Sequence, residues 1–204
     1  KSKFLVKSKL NYAENLLSKS DTTKAVTFIS ENGYREEKSW KELNNNTLKL
    51  IKFFKDNKIK EKDRIAAYTA NQIETVESFI ASSAIGAIWS SCSPDFGTQG
   101  VIERFSQIKP KLLIITDRYY YNGKEINVLE RLPAILKKIK SIKSVLITNY
   151  PGKKNLKQKK IKGIKIFYFN KLKHKVESKI TFKKFDFDKE LAILYSSGTT
   201  GKPK

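Results

Sequence analysis

The chain is 204 residues long, 39% apolar, 30% charged and 11% aromatic, and its 42 Lys and Arg against 20 Asp and Glu give a formal charge of +22. That apolar share is enough to bury a core, which excludes a disordered chain, and nine Gly with five Pro exclude collagen-like and Pro/Gly-rich classes. One Cys (Cys92) and one His (His174) exclude a disulfide framework and Cys- or multi-His-based metal centres, and no apolar run reaches the roughly 18 residues a membrane span needs.

The amino-terminal KSKFLVKSKL lacks the apolar core and small-residue cleavage site of a signal peptide, so a reduced, cytoplasmic setting is expected. Residues 11–19 read as a short helix. Residues 25–30 are β-rich, and Glu31-Asn32-Gly33 after them signals a hairpin. Ser39 and Glu42 form a capping box, opening a helix whose face is Trp40, Leu43, Leu50, Ile51 and Phe54, as far as about Asp56. Residues 65–68 read as a buried strand. Asn71 is the expected N-cap of a second helix through Ile73, Val76, Phe79, Ile80 and Ile85, stopped by Gly86.

Residues 87–89 read as the next strand and 90–97 as a loop of turn formers, in which Asp95 is a turn or cap residue and Trp89 a core residue. Thr98 is expected to cap a helix through Ile102 and Phe105. Residues 111–116 form a continuous apolar strand, and 129–139 a helix with Pro133 in its first turn. Residues 144–148, 164–169 and 191–195 read as further strands, and 153–189 is the least core-like stretch. Apolar strands alternating with helices predict an α/β fold with parallel or mixed sheets flanked by helices.

The charge invites a nucleic-acid reading, but only five basic residues are Arg and the Lys are spread along the whole chain. The densest stretch, 152–162, has no aromatic to stack on a base, so it reads as a solvated loop or hairpin without a specific nucleic-acid partner. Cys92 has no credible base, because His174 lies far along the chain in a Lys-rich stretch. The carboxylate pairs Glu36-Glu37 and Asp186/Asp188 give no sign of a raised pKa.

The most informative feature follows the last apolar run: Ser196-Ser197-Gly198-Thr199-Thr200-Gly201-Lys202-Pro203-Lys204. Two glycines let main-chain N–H groups converge on an anion, four hydroxyls add donors and two lysines add charge, the ingredients of a polyphosphate loop. The spacing is not that of a Walker A loop. The nonapeptide resembles the phosphate-binding signature of the adenylate-forming superfamily of acyl-CoA synthetases, peptide-synthetase adenylation domains and luciferases. Residues 86–97 (GAIWSSCSPDFG), 104–111 (RFSQIKPK), 10–17 (LNYAENLL) and 121–124 (YNGK) narrow the resemblance to the acetoacetyl-CoA synthetase branch.

The resemblance implies a fold, the first part of the adenylate-forming large domain, and a two-step ligase reaction. A carboxylate, here acetoacetate, attacks the α-phosphate of ATP to give an acyl-adenylate and pyrophosphate, and CoA then displaces AMP. The substrates would be acetoacetate, ATP and CoA, with Mg2+ as cofactor, in lipid and ketone-body metabolism. It implies that Thr199, Thr200 and Gly201 hold the β- and γ-phosphates, that Ser196, Ser197 and Gly198 shape the loop, and that Lys202 and Lys204 add charge. Lys124, in the 121–124 turn, either meets a CoA phosphate or stands on a plain surface turn. The absence of Met and the end at Lys204 read as a truncated front part, 1–204, of an adenylation domain whose phosphate loop is 195–204. On that expectation the magnesium ligand, the acid pocket and the catalytic lysine lie beyond it, no catalytic or metal residue is assigned within it, and the piece alone is inactive; a ligase for acetate or propionate, or a non-catalytic nucleotide- or polyanion-binding domain, are the alternatives.

Overall fold

The computed structural model describes residues 5–154, 156–158, 160–172 and 181–196. Strand β1 (Lys9–Leu10) leads into α1 (Tyr12–Leu16), where the Asn11 side chain caps the helix by accepting from the Ala13 and Glu14 amides. Strands β2 (Lys24–Ile29) and β3 (Arg35–Ser39) pair antiparallel across the predicted turn, in which Gly33 takes φ 80°. Helix α2 (Trp40–Asp56) opens on the predicted capping box: the Ser39 amide donates to Glu42 Oε2 at 2.8 Å and the Glu42 amide to Ser39 Oγ at 3.3 Å.

The centre of the molecule is β4 (Arg64–Tyr68), α3 (Ile73–Ala84), β5 (Ile88–Cys92), α4 (Thr98–Ile108) and β6 (Leu112–Thr116). A hairpin, β7 (Arg118–Tyr121) and β8 (Lys124–Asn127), follows, then a 3-10 turn at Leu129–Arg131 running into α5 (Leu132–Lys138). Strands β9 (Ser144–Thr148), β10 (Lys165–Tyr168) and β11 (Phe185–Asp186) complete the described elements, β11 pairing with β1.

Five strands form one parallel sheet in the order β10-β9-β6-β4-β5. Its continuous apolar strands are explained by burial on both faces. On one face Ile65, Ala67, Leu112, Ile114 and Leu146 pack with Leu50, Ile51 and Phe54 of α2 and Ile80 of α3. On the other, Ala66, Tyr68, Leu113, Ile115, Val145 and Ile147 pack with Val101 and Phe105 of α4 and Leu132 and Ile135 of α5. The predicted α/β fold with a helix-flanked parallel sheet is what forms.

Several local expectations are corrected. The α3 N-cap is Gln72, not Asn71, and makes no side-chain cap bond, because Gln72 Oε1 accepts from Thr116 Oγ1 at 3.1 Å across the sheet. Val76 lies outside the buried face of α3, at 40% exposure. Strand β5 takes in Ser90, Ser91 and Cys92, which pair with Ala66, Ala67 and Tyr68, because the ladder to β4 bonds backbone whatever the side chain. The cap of α4 is Gly97, so Thr98 is its first helical residue. The hairpin β7–β8 was not expected; Asn122 (φ 50°) and Gly123 (φ 71°) turn it, both left-handed as a type I′ turn requires. Residues 191–195 form no strand: only Ala192 bridges, parallel to Trp89, with Trp89 N donating to Leu191 O (3.1 Å) and Ile193 N to Trp89 O (2.8 Å). The 153–189 stretch is not uniformly peripheral, since β10 joins the sheet and Phe169 and Phe185 are buried.

Candidate functional site

Taken in chain order, the parallel strands lie 2-1-3-4-5, a doubly wound arrangement whose switch point falls between the paired strands β4 and β6, because the chain leaving their carboxyl ends goes to opposite faces, to α3 and to α5. The β5–α4 loop, the start of α3 and the β7–β8 hairpin all emerge at that end. The Trp89–Ala192 bridge is parallel, so the chain from Ala192 through Tyr195 to Ser196 runs toward the same end. Ser197, Gly198, Thr199, Thr200, Gly201, Lys202 and Lys204 lie outside the described residues, as does His174.

The β5–α4 loop, residues 93–97, is rich in turn formers and has no ladder of its own, so its carbonyls need other partners. Arg131, just before α5, supplies them: its Nη1 donates to Pro94 O at 2.7 Å and to Phe96 O at 3.3 Å, and also to the Tyr68 hydroxyl. Tyr68, at the end of β4 and wholly buried, donates its own proton to Phe96 O at 2.6 Å. Burial pushes the Tyr68 phenol up in pKa; the nearby Arg131 pulls the other way and loses, so the hydroxyl stays a donor. Burial opposes the Arg131 charge, but the bonds and charges of Tyr68 and Tyr119 outweigh it and the guanidinium is held above its ordinary value. Ser93 Oγ donates to Asp95 Oδ2 at 2.6 Å, which makes Asp95 the turn residue expected.

On the far side of the loop the Arg104 guanidinium sits 4.1 Å from the Phe96 ring centre, and Arg104 O accepts from the Tyr195 hydroxyl at 2.6 Å. Trp89 is a core residue, edge-on to Phe79 at 5.9 Å. Cys92 is buried and its thiol is pushed up to about 11 by that burial, against a weaker pull from Arg104, so it is no nucleophile near neutrality.

Lys124 is exposed on the hairpin, which the Glu31 carboxylate ties to the β2–β3 turn by accepting from Asn122 N at 2.8 Å. The hairpin leaves β6, three strand positions from the Tyr195 run, or roughly 14 Å at the usual strand spacing. Lys124 and Ser196 therefore share an end of the sheet without adjoining. The clamp residues Arg131 and Tyr68 belong to no local motif, and nothing in their neighbours along the chain marks them.

A second polar cluster overturns the reading of Glu36. The Lys38 ammonium lies 3.7 Å from Glu36 Oε1, 3.3 Å from Glu74 Oε1 and 3.2 Å from Glu77 Oε1. Asn46 Nδ2 also donates to Glu77 Oε1, at 2.9 Å. Glu77 is fully buried and burial pushes it up to about 7, against the pull of Lys38. Burial raises Glu36 as well. Glu37, exposed, behaves in the opposite way: Arg35 at 2.5 Å holds it below the ordinary carboxylate range. Among the described residues no group of His, Cys, Asp and Glu is placed to hold a metal ion. No described helix is long and apolar enough to cross a membrane.

The family model for the AMP-binding enzymes matches residues 17–204, and the chain belongs to that family. Within it, the chain is 38% identical over 203 residues to the acetoacetyl-CoA synthetase of Gallus gallus, covering 97% of this chain and 30% of the relative. It is 37% identical over 202 residues to the acetoacetyl-coenzyme A synthetase of Rhizobium meliloti (strain 1021), covering 99% and 31%. The solved acetoacetyl-CoA synthetase from Streptomyces lividans superposes with a TM-score of 0.84 at 28% identity, over 96% of this chain and 29% of that one. The chain thus spans about 30% of the length of the relatives it matches.

Proposed function

We propose that the protein carrying this chain is an ATP-dependent acid–CoA ligase that makes acetoacetyl-CoA, AMP and pyrophosphate. The observation that carries this is likeness to acetoacetyl-CoA synthetases along nearly the whole chain, including the 89–97 run that narrows the resemblance. Acetoacetate oxygen would bond to the α-phosphorus as the bond to pyrophosphate breaks. CoA sulfur would then bond to the acyl carbon as AMP leaves.

Both steps gather anions, so positioning and charge neutralisation dominate their catalysis. Thr199, Thr200 and Gly201 would hold the β- and γ-phosphates, and Ser196, Ser197 and Gly198 would give the loop its shape. Lys202 and Lys204 would offset the triphosphate charge. Lys124, on the same end of the sheet, would meet a phosphate of CoA. Magnesium supplies further neutralisation when bound to the triphosphate; no described carboxylate group fits it, so none is assigned to it. The setting proposed is cytoplasmic, within ketone-body and lipid metabolism.

The test is ATP–pyrophosphate exchange by the full-length protein with acetoacetate, acetate, propionate and butyrate in parallel. Exchange strongly favouring acetoacetate is expected. Preference for another acid would overturn the substrate and keep the chemistry; no exchange with any acid from folded protein would overturn the ligase reading itself.

A further inference from the structure

We propose that Arg131 is a positioning residue for this ligase site, fixing the 93–97 loop and, through it, the Tyr195–Ser196 junction. The inference rests on the ligase reading above. A single guanidinium nitrogen serves Pro94 O, Phe96 O and the Tyr68 hydroxyl. Those carbonyls lie in the only stretch between β5 and α4, and Tyr68 bonds the same two, Phe96 O at 2.6 Å and Pro94 O at 3.1 Å. The loop is therefore held from the β4–α5 side by the Arg131 guanidinium and the Tyr68 hydroxyl, beside the buried Pro94, while Phe96 itself is 41% exposed.

The contacts reach Ser196 by way of Arg104 in α4, whose side chain meets Phe96 and whose main-chain carbonyl meets Tyr195. Phe96 presents its ring to Arg104 at 4.1 Å, and Arg104 Nη1 donates to Gly100 O at 3.0 Å, which keeps that side chain along α4. Arg104 O in turn accepts from Tyr195 at 2.6 Å. Behind Tyr195 the backbone has a one-residue bridge to the sheet, at Ala192; the Tyr195 ring packs against the core and its hydroxyl bonds α4, and together these fix the chain just before Ser196. Loss of Arg131 frees the carbonyls of residues 94 and 96, lets the Phe96 ring leave Arg104, and loosens the support of Tyr195. Lysine would change this geometry: Arg131 Nη1 sits on a rigid guanidinium plane whose centre lies 5.9 Å from the Tyr68 ring, whereas an ammonium on a flexible stem has no such fixed direction.

The experiment uses the full-length protein as wild type, Arg131→Ala, Arg131→Lys, Tyr195→Phe and the Arg131→Ala/Tyr195→Phe double variant. It measures ATP–pyrophosphate exchange with acetoacetate at varied ATP, beside thermal unfolding. Expected are a KM for ATP raised about tenfold in Arg131→Ala and about threefold in Tyr195→Phe, with kcat changed less than KM and the KM for acetoacetate unmoved. Arg131→Lys should fall between wild type and Arg131→Ala, and the double variant should be no worse than Arg131→Ala, because both residues act along one path.

A merely structural Arg131 would lower the melting temperature and the active fraction while leaving the KM for ATP alone; that result, or effects that multiply in the double variant, would overturn the inference. Should Arg131→Ala not fold, Tyr195→Phe decides, since it removes a single hydroxyl. Wild-type protein without exchange would instead overturn the ligase reading.

Discussion

Two half-buried cations organise the polar groups of the interior, and they do it with opposite partners. Arg131 faces neutral oxygens, the carbonyls of Pro94 and Phe96 and the Tyr68 hydroxyl. Lys38 faces three carboxylates, of Glu36, Glu74 and Glu77. Neutral acceptors satisfy a guanidinium without leaving any group that titrates near pH 7, so the geometry they fix is indifferent to pH. Three carboxylates around one ammonium leave more negative charge than the cation can balance, and in a buried site a proton makes up part of the difference. The clamp beside the proposed phosphate loop is of the first kind, and the cluster between β3, α2 and α3 is of the second.

The sharpest way to break the contrast is to delete the cation of the second cluster. Lys38→Met leaves Glu77 buried without its cation, and removing one partner of a buried pair costs about 3–5 kcal/mol. Urea unfolding at pH 8 should show that loss, and at pH 5 it should shrink, because the carboxylates can then take up protons. A loss equal at both pH values would mean that Lys38 contributes packing and not charge.

Glu77→Gln sharpens the same point with the proton itself. Glu77 titrates near 7 when folded, against 4.5 as the ordinary value, so between those values the folded state keeps a proton that the unfolded chain has released. Stability is therefore fully supported below about 4.5 and declines as pH rises through about 7, by roughly 3 kcal/mol in total. Glutamine cannot lose that proton, so the variant should gain on wild type by about that amount across the window. Parallel curves would remove Glu77 as the group that holds it.

Tyr68→Phe tests the neutral clamp. Phe96 O loses its shortest donor while Arg131 still serves both carbonyls, so the cost should be about 1–2 kcal/mol and the same at pH 5 and pH 8. A pH-dependent cost would place a titrating group in the clamp and erase the distinction between the two cations.

The two regions were unequally legible. The sheet could be read strand by strand because Leu112–Thr116 and Ser144–Thr148 are continuous apolar runs, which a parallel strand covered on both faces requires. The capping box at Ser39 was legible because both of its bonds lie within four residues. The clamp was not, since Arg131 meets Tyr68 across 63 residues and Pro94 across 37. Glu77 was missed for a related reason: alone on a helix it reads as a surface carboxylate, and only the packing of β3 against α2 and α3 buries it beside Lys38. Ser90–Cys92 were misread as loop because serines favour turns locally, and the pairing with β4 outweighs that preference. The proposed phosphate loop was the clearest motif in the chain, and of its residues 195–204 only Tyr195 and Ser196 lie among those described.

The smallest expected effect extends the contrast to helix starts, where a polar side chain either has its backbone partner or lacks it. By sequence, Ser39 and Thr98 both read as caps, Ser39 with Glu42 as a capping box. In the structure Ser39 exchanges bonds with Glu42, whereas Thr98 is already inside α4 and the cap position, Gly97, makes no side-chain bond. Ser39→Ala should therefore cost about 1 kcal/mol, leaving the Glu42 amide without its side-chain acceptor. Thr98→Ala should change stability by less than about 0.5 kcal/mol, since alanine is the better helix former at a position where the hydroxyl caps nothing. Equal losses in a urea titration would put the α4 cap back at Thr98 and shift the start of that helix, and with it the end of the loop that Arg131 holds.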